Sequence, residues 1–214
     1  MTKIITIDGP AASGKGTLAR RLANHLNYFY LDTGAMYRLV GLAVINADIN
    51  PDAGVQSVVE LTTAMAKTFE PNNTNNPDLK RDDVGQMASR VAALPDVRTA
   101  VLELQRTLAH TPPTGQVGSV MDGRDCGTVV CPDAPHKFYI TADVTERAKR
   151  RYAELQSRGD ETSYDDVLAD MKMRDDRDMN RATAPLKPAD DATIIDTTSM
   201  DADMAFNEIL SRLK

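Results

Sequence analysis

Only two cysteines, Cys126 and Cys131, stand in this chain of 214 residues. A pair of thiols makes a poor disulfide framework and suits a reducing compartment. No apolar run approaches the ~18 residues that a membrane span requires. A basic surplus is missing too: 25 Lys and Arg stand against 31 Asp and Glu, a net charge of −6. That balance speaks against a protein that coats DNA or RNA through a positive surface. The N-terminus enters a strand-like run by Ile4, which leaves no room for a signal peptide. No internal repeat is visible. With 42% hydrophobic and 26% charged residues, the composition is that of a soluble cytoplasmic globular protein, neither disordered nor membrane-embedded. At ~150 residues per domain the length fits one domain with an elaboration. A chain of this size buries roughly 70% of its unfolded surface without staples.

What is present alternates between two periods. Ile4, Ile5 and Ile7 form a β-branched run closed by Asp8-Gly9-Pro10, and Leu18, Leu22 and Leu26 then recur at helical spacing. Tyr28–Leu31 reads as a second strand ending at Asp32-Thr33-Gly34, where Asp32 or Thr33 caps the next helix, with Met36, Leu39, Val40 and Ala43 along one side. Val58, Leu61 and Met65 predict another helix; Glu70–Pro77 reads as a polar, exposed loop within an insertion. Helical spacing returns at Val84–Val91, breaks near Pro95 and resumes from Val97 to Leu108. Val117–Met121, Phe138–Ile140 and Thr193–Ile195 complete the strands, and a final helix from Asp201 buries Phe206, Ile209, Leu210 and Leu213. Strands alternating with helices predict an α/β fold whose mostly parallel sheet is covered on both faces.

The segment Gly9-Pro10-Ala11-Ala12-Ser13-Gly14-Lys15-Gly16-Thr17 lies between a buried strand and an amphipathic helix, the context that a P-loop requires. Its glycines allow successive N–H groups to converge on a phosphate, and the helix N-terminus adds partial positive charge. Lys15 is placed to reach the β- and γ-phosphates of a nucleotide, and Thr17 to offer its hydroxyl to Mg²⁺. Gly16, between the lysine and the hydroxyl residue, departs from the simplest pattern and points to the small nucleotide kinases.

The stretch from Ser163 to Arg181 carries a second signal. Tyr164, Val167, Leu168 and Met171 form an apolar stripe, and its continuation lands on Arg174, Asp178 and Arg181. Inward arginines are costly unless paired or facing a polar cleft, so a bound anion is expected there. Asp178 is suited to accept hydrogen bonds from sugar hydroxyls. The competing reading of Arg174–Asp178 is a solvated charge run at a frayed helix end. Arg38 follows the second strand, and Arg124 and Asp125 sit at the end of the Val117–Met121 strand, where α/β sheets gather ligands. Cys126, Cys131 and His136 recur every five positions, but without a fourth ligand they read as ordinary thiols rather than zinc ligands.

Taken together, Gly9–Thr17, Leu31–Arg38, Ala88–Arg98, Asp122–Val130, Arg174–Arg181 and Ala184-Pro185-Leu186 span most of the chain in one order. In that combination the sequence resembles bacterial cytidylate kinases (CMP kinases), a nucleoside monophosphate kinase family. The resemblance implies a P-loop NTPase-type three-layer fold with a central parallel sheet (1–32, 105–147 and 166–214), an inserted NMP-binding subdomain (about 33–104) and a small lid (about 148–165). It implies ATP-dependent, Mg²⁺-assisted phosphorylation of CMP and dCMP in pyrimidine metabolism, by a monomer with small-molecule partners only. Carried over by position, Ser89, Arg98 and Asp125 contact the cytosine edge. Arg174 and Asp178 hold the sugar, and Thr33, Arg38, Arg124 and Arg181 fix the acceptor phosphate. Lys15, Arg124 and Arg181 surround the transferring group, with Asp122 orienting the metal's waters. Arg150 or Arg151 closes over the ATP phosphates as the lid moves; a solvated helix face is the alternative for both. Thr33 replaces the family's usual serine, and the insertion around Phe69–Asp83 is shorter than the family's hairpin-bearing form. Two other functions fit a P-loop: a kinase for UMP, AMP or shikimate, and a nucleotide-switched or RNA-associated regulatory ATPase.

Overall fold

A computed structural model describes residues 3–213, so Met1 and Thr2 of the N-terminal reading lie outside it. Five strands, β1 (Lys3–Asp8), β2 (Phe29–Asp32), β3 (Gly118–Gly123), β4 (His136–Thr141) and β5 (Thr193–Asp196), form one sheet in the order β2-β3-β1-β4-β5. Every pairing is parallel. The helices are α1 (Lys15–Leu26), α2 (Thr33–Asn46), α3 (Val55–Thr68), α4 (Asp82–Val91), α5 (Pro95–His110), α6 (Val144–Gln156), α7 (Tyr164–Asn180) and α8 (Ala202–Arg212).

Strand alternation sorts the core into two layers. Ile4, Leu31 and Met121 join the cluster formed with α2, α3 and α5. Ile5, Ile7, Val120, Phe138, Ile140 and Ile195 face the other way, onto α1 and α8. Both faces are thus covered, as the β-branched runs predict. The registers Asp8↔Gly123 and Asp32↔Asp122 align the carboxyl ends of β1, β2 and β3 along one edge. The strand order reverses around β1, so its following loop opens into the crevice where such sheets take ligands.

The sequence boundaries shift by a residue or so. Val117 is 68% exposed and precedes β3, and Asp201 and Ser163 are N-caps rather than helical residues. Between α3 and α4 the polar stretch is not irregular throughout: short 3₁₀ turns span Pro71–Asn75 and Pro77–Lys80. Pro95 opens α5 at its first turn, where the missing N–H costs nothing.

Candidate active site

The loop after β1 is shaped by two glycines. A side chain on Gly9 would collide with the Ile140 carbonyl oxygen of β4, and Gly14 takes φ 87° just before α1. Helices α2, α6, α7 and α8 are each capped by a side chain, from Asp32, Asp143, Ser163 and Asp201. Of the two candidates for α2, Asp32 does the capping, accepting from the Ala35 N–H at 3.0 Å. Helix α1 has Gly14 as its N-cap residue and no side-chain cap. Helices α3, α4 and α5 lack a side-chain cap too; α1 differs in following the glycine loop and carrying Lys15 at its start.

Lys15 and Asp122 face each other across this loop, Nζ to Oδ1 at 3.9 Å. The second carboxylate oxygen accepts from the Tyr30 hydroxyl at 3.0 Å. Burial pulls the Lys15 ammonium down to about 8, with Arg124 adding repulsion and Asp122 opposing both. Burial likewise lifts Asp122 to about 6 against the attraction of Lys15. Gly16 has a packing reason: a Cβ there would lie 2.9 Å from Asp122 Oδ2. Thr17 is exposed and lines two depressions, one with Arg150 and Thr197 and one with Gly16, Tyr30 and Asp32.

Beside Lys15 opens a cavity of about 200 Å³. Thr33, Arg38, Ser89, Arg98, Arg124, Asp125, Arg174, Asp178 and Arg181 all line it, brought together from α2, α4, α5, the β3 end and α7. Arg98 and Arg181 flank the buried Asp125, the first by a short hydrogen bond and the second at 3.6 Å. Asp178 accepts from Arg124 Nε at 2.9 Å and from the Ser89 hydroxyl at 3.5 Å. Against the upward push of burial, Arg124 and Arg174 hold the Asp178 carboxyl below its usual range. Thr33 donates to the Asp122 carbonyl at 2.7 Å. Arg38 donates to the Leu79 carbonyl at 2.6 Å and passes closely over Gly85.

Two nitrogens in this cavity have no hydrogen-bond partner, although both are buried: Arg174 Nε and Arg181 Nη2. Burial, reinforced by Arg124, pushes the Arg174 guanidinium down to about 10, and burial with Arg98 lowers Arg181. Surplus buried cations with unused donors demand an anionic, hydrogen-bonding ligand. The solvated-charge-run reading of α7 is thereby corrected: Asp175 and Asp178 are buried, because α6 and the β3 end cover that face.

A cytidylate kinase family model matches residues 5–214. The chain is 52% identical over 206 residues to the cytidylate kinase of Paramagnetospirillum magneticum, covering 96% of this chain and 95% of that protein. It is 50% identical to the cytidylate kinase of Rhodospirillum rubrum, at 98% and 96% coverage. This chain belongs to the cytidylate kinase family. Solved structures extend the fold beyond recognisable sequence. An uncharacterized protein from Eubacterium ventriosum superposes with TM-score 0.55 at 18% identity, covering 100% of this chain and 98% of that one. Shikimate kinase from Bacteroides thetaiotaomicron does so with TM-score 0.50 at 10% identity, covering 100% and 97%.

Within this cytidylate kinase family member, the adjacent α6 arginines Arg150 and Arg151 diverge. Arg150 donates to the Thr197 carbonyl at 2.7 Å, on the side of the β5–α8 connection. Arg151 pairs with Asp82 at 3.0 Å and Glu154 at 2.9 Å, and lines a second cavity of about 260 Å³ with Lys15, Arg38, Arg124 and Arg174. Sequence reasoning gave Arg147 no role of its own. It is 4% exposed and ties three segments together: Nη1 donates to the Ala11 carbonyl at 3.2 Å, Nε to Ala142 at 2.8 Å and Nη2 to Asp175 at 2.7 Å. Asp8 was missed as well. Its carboxylate accepts the Cys126 and Gly127 N–H groups at 2.8 and 2.7 Å, fixing the turn after Asp125. An Asp at a strand end opposite the phosphate loop was the only available hint. Cys126 and Cys131 are free, buried thiols.

Among the described residues no group of three or more His, Cys, Asp or Glu side chains forms a metal cage. Asp122, facing Lys15 with Asp32 beside it in register, fits instead a hard cation carried largely on phosphate oxygens and water. No helix among the described residues is long and apolar enough to cross a membrane.

Proposed function

We propose that this enzyme transfers the γ-phosphoryl group of ATP to CMP and dCMP, yielding ADP and the cytidine diphosphates. The observation that carries the reading is the buried Arg174 Nε, which has no hydrogen-bond partner, beside Arg181 Nη2, whose one printed contact is the ion pair with Asp125 at 3.6 Å, in a cation-rich cavity that shares Lys15 with the phosphate loop. Both substrates' phosphates are then brought to one lysine.

In this reading Gly9–Thr17 cradles the donor phosphates, with the open α1 N-terminus and Lys15 supplying positive charge. Thr33, Arg38, Arg124 and Arg181 hold the acceptor phosphate, while Arg174 and Asp178 take the sugar. Ser89, Arg98 and Asp125 read the cytosine edge; the carboxylate of Asp125, already fixed by two arginines, accepts from an exocyclic amine and repels a carbonyl. That polarity favours cytosine over uracil. Mg²⁺, bound with ATP, supplies charge neutralisation on the transferring phosphates, with Asp122 and Thr17 as the nearby oxygen groups. Phosphoryl transfer asks little covalent chemistry of the protein, so alignment and charge stabilisation carry the rate. The insertion over about 33–104 carries the acceptor, and the lid over about 148–165 closes on the donor and excludes water. The same reading has the enzyme acting as a monomer in the cytoplasm.

The test is ADP release from MgATP with a panel of nucleoside monophosphates. CMP and dCMP as the best acceptors are expected. A preference for UMP or AMP overturns the assignment, and ADP release without any acceptor supports a regulatory ATPase.

A further inference from the structure

Tyr30 has no part in the roles assigned above, yet its phenol is the only side chain hydrogen-bonded to the Asp122 carboxylate among the described residues: the hydroxyl donates to Oδ2 at 3.0 Å. The other oxygen, Oδ1, is thereby turned to Lys15 Nζ at 3.9 Å. Asp122 is only 4% exposed, so the choice of which oxygen faces the phosphate loop is made by the protein, not by water. Gly16 closes the remaining side, its α-carbon close enough that a Cβ would meet Asp122 Oδ2 at 2.9 Å and the Tyr30 oxygen at 3.8 Å. Outside, the Arg20 guanidinium covers the Tyr30 ring at 4.7 Å from its centroid. A cation over the ring draws electron density from the phenol and strengthens its O–H as a donor.

We propose that Tyr30 is a positioning residue for phosphoryl transfer: its hydroxyl fixes the Asp122 carboxylate so that Oδ1 serves the Lys15 and metal side, and Arg20 reinforces that bond. The inference rests on the reading of Asp122 as the carboxylate serving the metal's waters. Tyr30 does not touch substrate; it acts through Asp122. A hydrogen bond to a charged, buried group is among the stronger ones in a protein. Losing it frees the carboxylate to rotate toward Lys15, at the expense of its alignment with the metal-bound donor.

The experiment compares Tyr30→Phe, Arg20→Ala, the double variant and Asp122→Asn. ADP affinity is measured calorimetrically with Mg²⁺ and with EDTA, beside steady-state kinetics. Tyr30→Phe is expected to lose on the order of tenfold in kcat, with KM for CMP unchanged. It should also lose most of the Mg²⁺-dependent gain in ADP affinity while the affinity in EDTA stays at the wild-type value. Arg20→Ala should show a smaller loss of the same kind, and no further loss in the Tyr30→Phe background. A merely structural tyrosine would lower thermal stability and ADP affinity in both buffers, or change neither; either result overturns the proposal. Asp122→Asn separates the two levels. If it is fully active, the reading of Asp122 fails and Tyr30 with it; if it is crippled while Tyr30→Phe is not, only the role of Tyr30 fails.

Discussion

Arg124 and Asp178 meet across the cavity beside Lys15, Nε to Oδ2 at 2.9 Å, although 54 residues separate them in sequence. The pair joins the end of β3 to α7, and Arg124 lines the cavity shared with Lys15. It therefore shapes the site and stabilises the fold at once. Removing one partner of a buried pair strands the other charge. Asp178→Ala should accordingly cost about 3 kcal/mol in urea unfolding and lower kcat/KM for CMP by about a hundredfold, since Ser89 and Arg174 lose the same carboxylate. Asp178→Asn, which keeps the shape, should retain most of the stability but not the catalytic efficiency.

The alkaline limb of activity follows from Lys15. Burial and the neighbouring Arg124 lower its ammonium from 10.5 to about 8 in the free protein. In the proposed reading the charged form is the one that neutralises phosphate, so kcat/KM for ATP should fall as pH rises through about 8. Bound phosphates favour the ammonium, so the same limb in kcat should lie at higher pH. The stability sign is the reverse of a salt bridge. A lysine whose folded value is depressed disfavours folding while it is protonated, and that penalty is relieved between about 8 and 10.5. Steady-state kinetics from pH 6 to 10, compared with Lys15→Arg, checks this: the variant should be weak but should lack the limb.

Gly16 predicts a separation of activity from stability. Its φ is not left-handed, and it lies in the first turn of α1, so Gly16→Ser leaves the helix intact or slightly strengthens it. The new Cβ, however, would stand 2.9 Å from a carboxylate that Tyr30 already holds. Turnover should drop by about tenfold or more with no loss in Tm, measured by kinetics and thermal unfolding of one preparation.

Cys126 and Cys131 are buried, and burial pushes both thiols upward, Cys131 to about 12. The thiolate is the reactive form. Native enzyme should consume almost no thiol reagent at pH 8, and the unfolded chain should titrate two groups.

Much of this architecture was legible because the local signals agreed. The run Ile4–Ile7, the glycines and Lys15 sit in consecutive sequence, and the α7 stripe through Met171, read together with that glycine loop, pointed Arg174, Asp178 and Arg181 inward. Arg147 was not legible in this way. On α6 it occupies one of several arginine positions, and only the approach of Asp175 from α7 and of the Ala11 carbonyl makes it a buried tie. Adjacent helical residues point about 100° apart, which is why Arg150 turns to Thr197 and Arg151 to Asp82. No spacing argument could say which direction holds nucleotide. Tyr30 escaped for a related reason: strand alternation assigns it a face, but its meeting with Asp122 depends on β2 pairing with β3 across the later part of the chain.

The most direct measurement is a crystal structure with CMP and ADP bound. The CMP phosphate should lie among Arg38, Arg124 and Arg181, the nucleotide should supply partners to Arg174 Nε and Arg181 Nη2, and the ADP phosphates should end on Lys15. A CMP phosphate bound elsewhere, with those two nitrogens still without a hydrogen bond, would contradict the account.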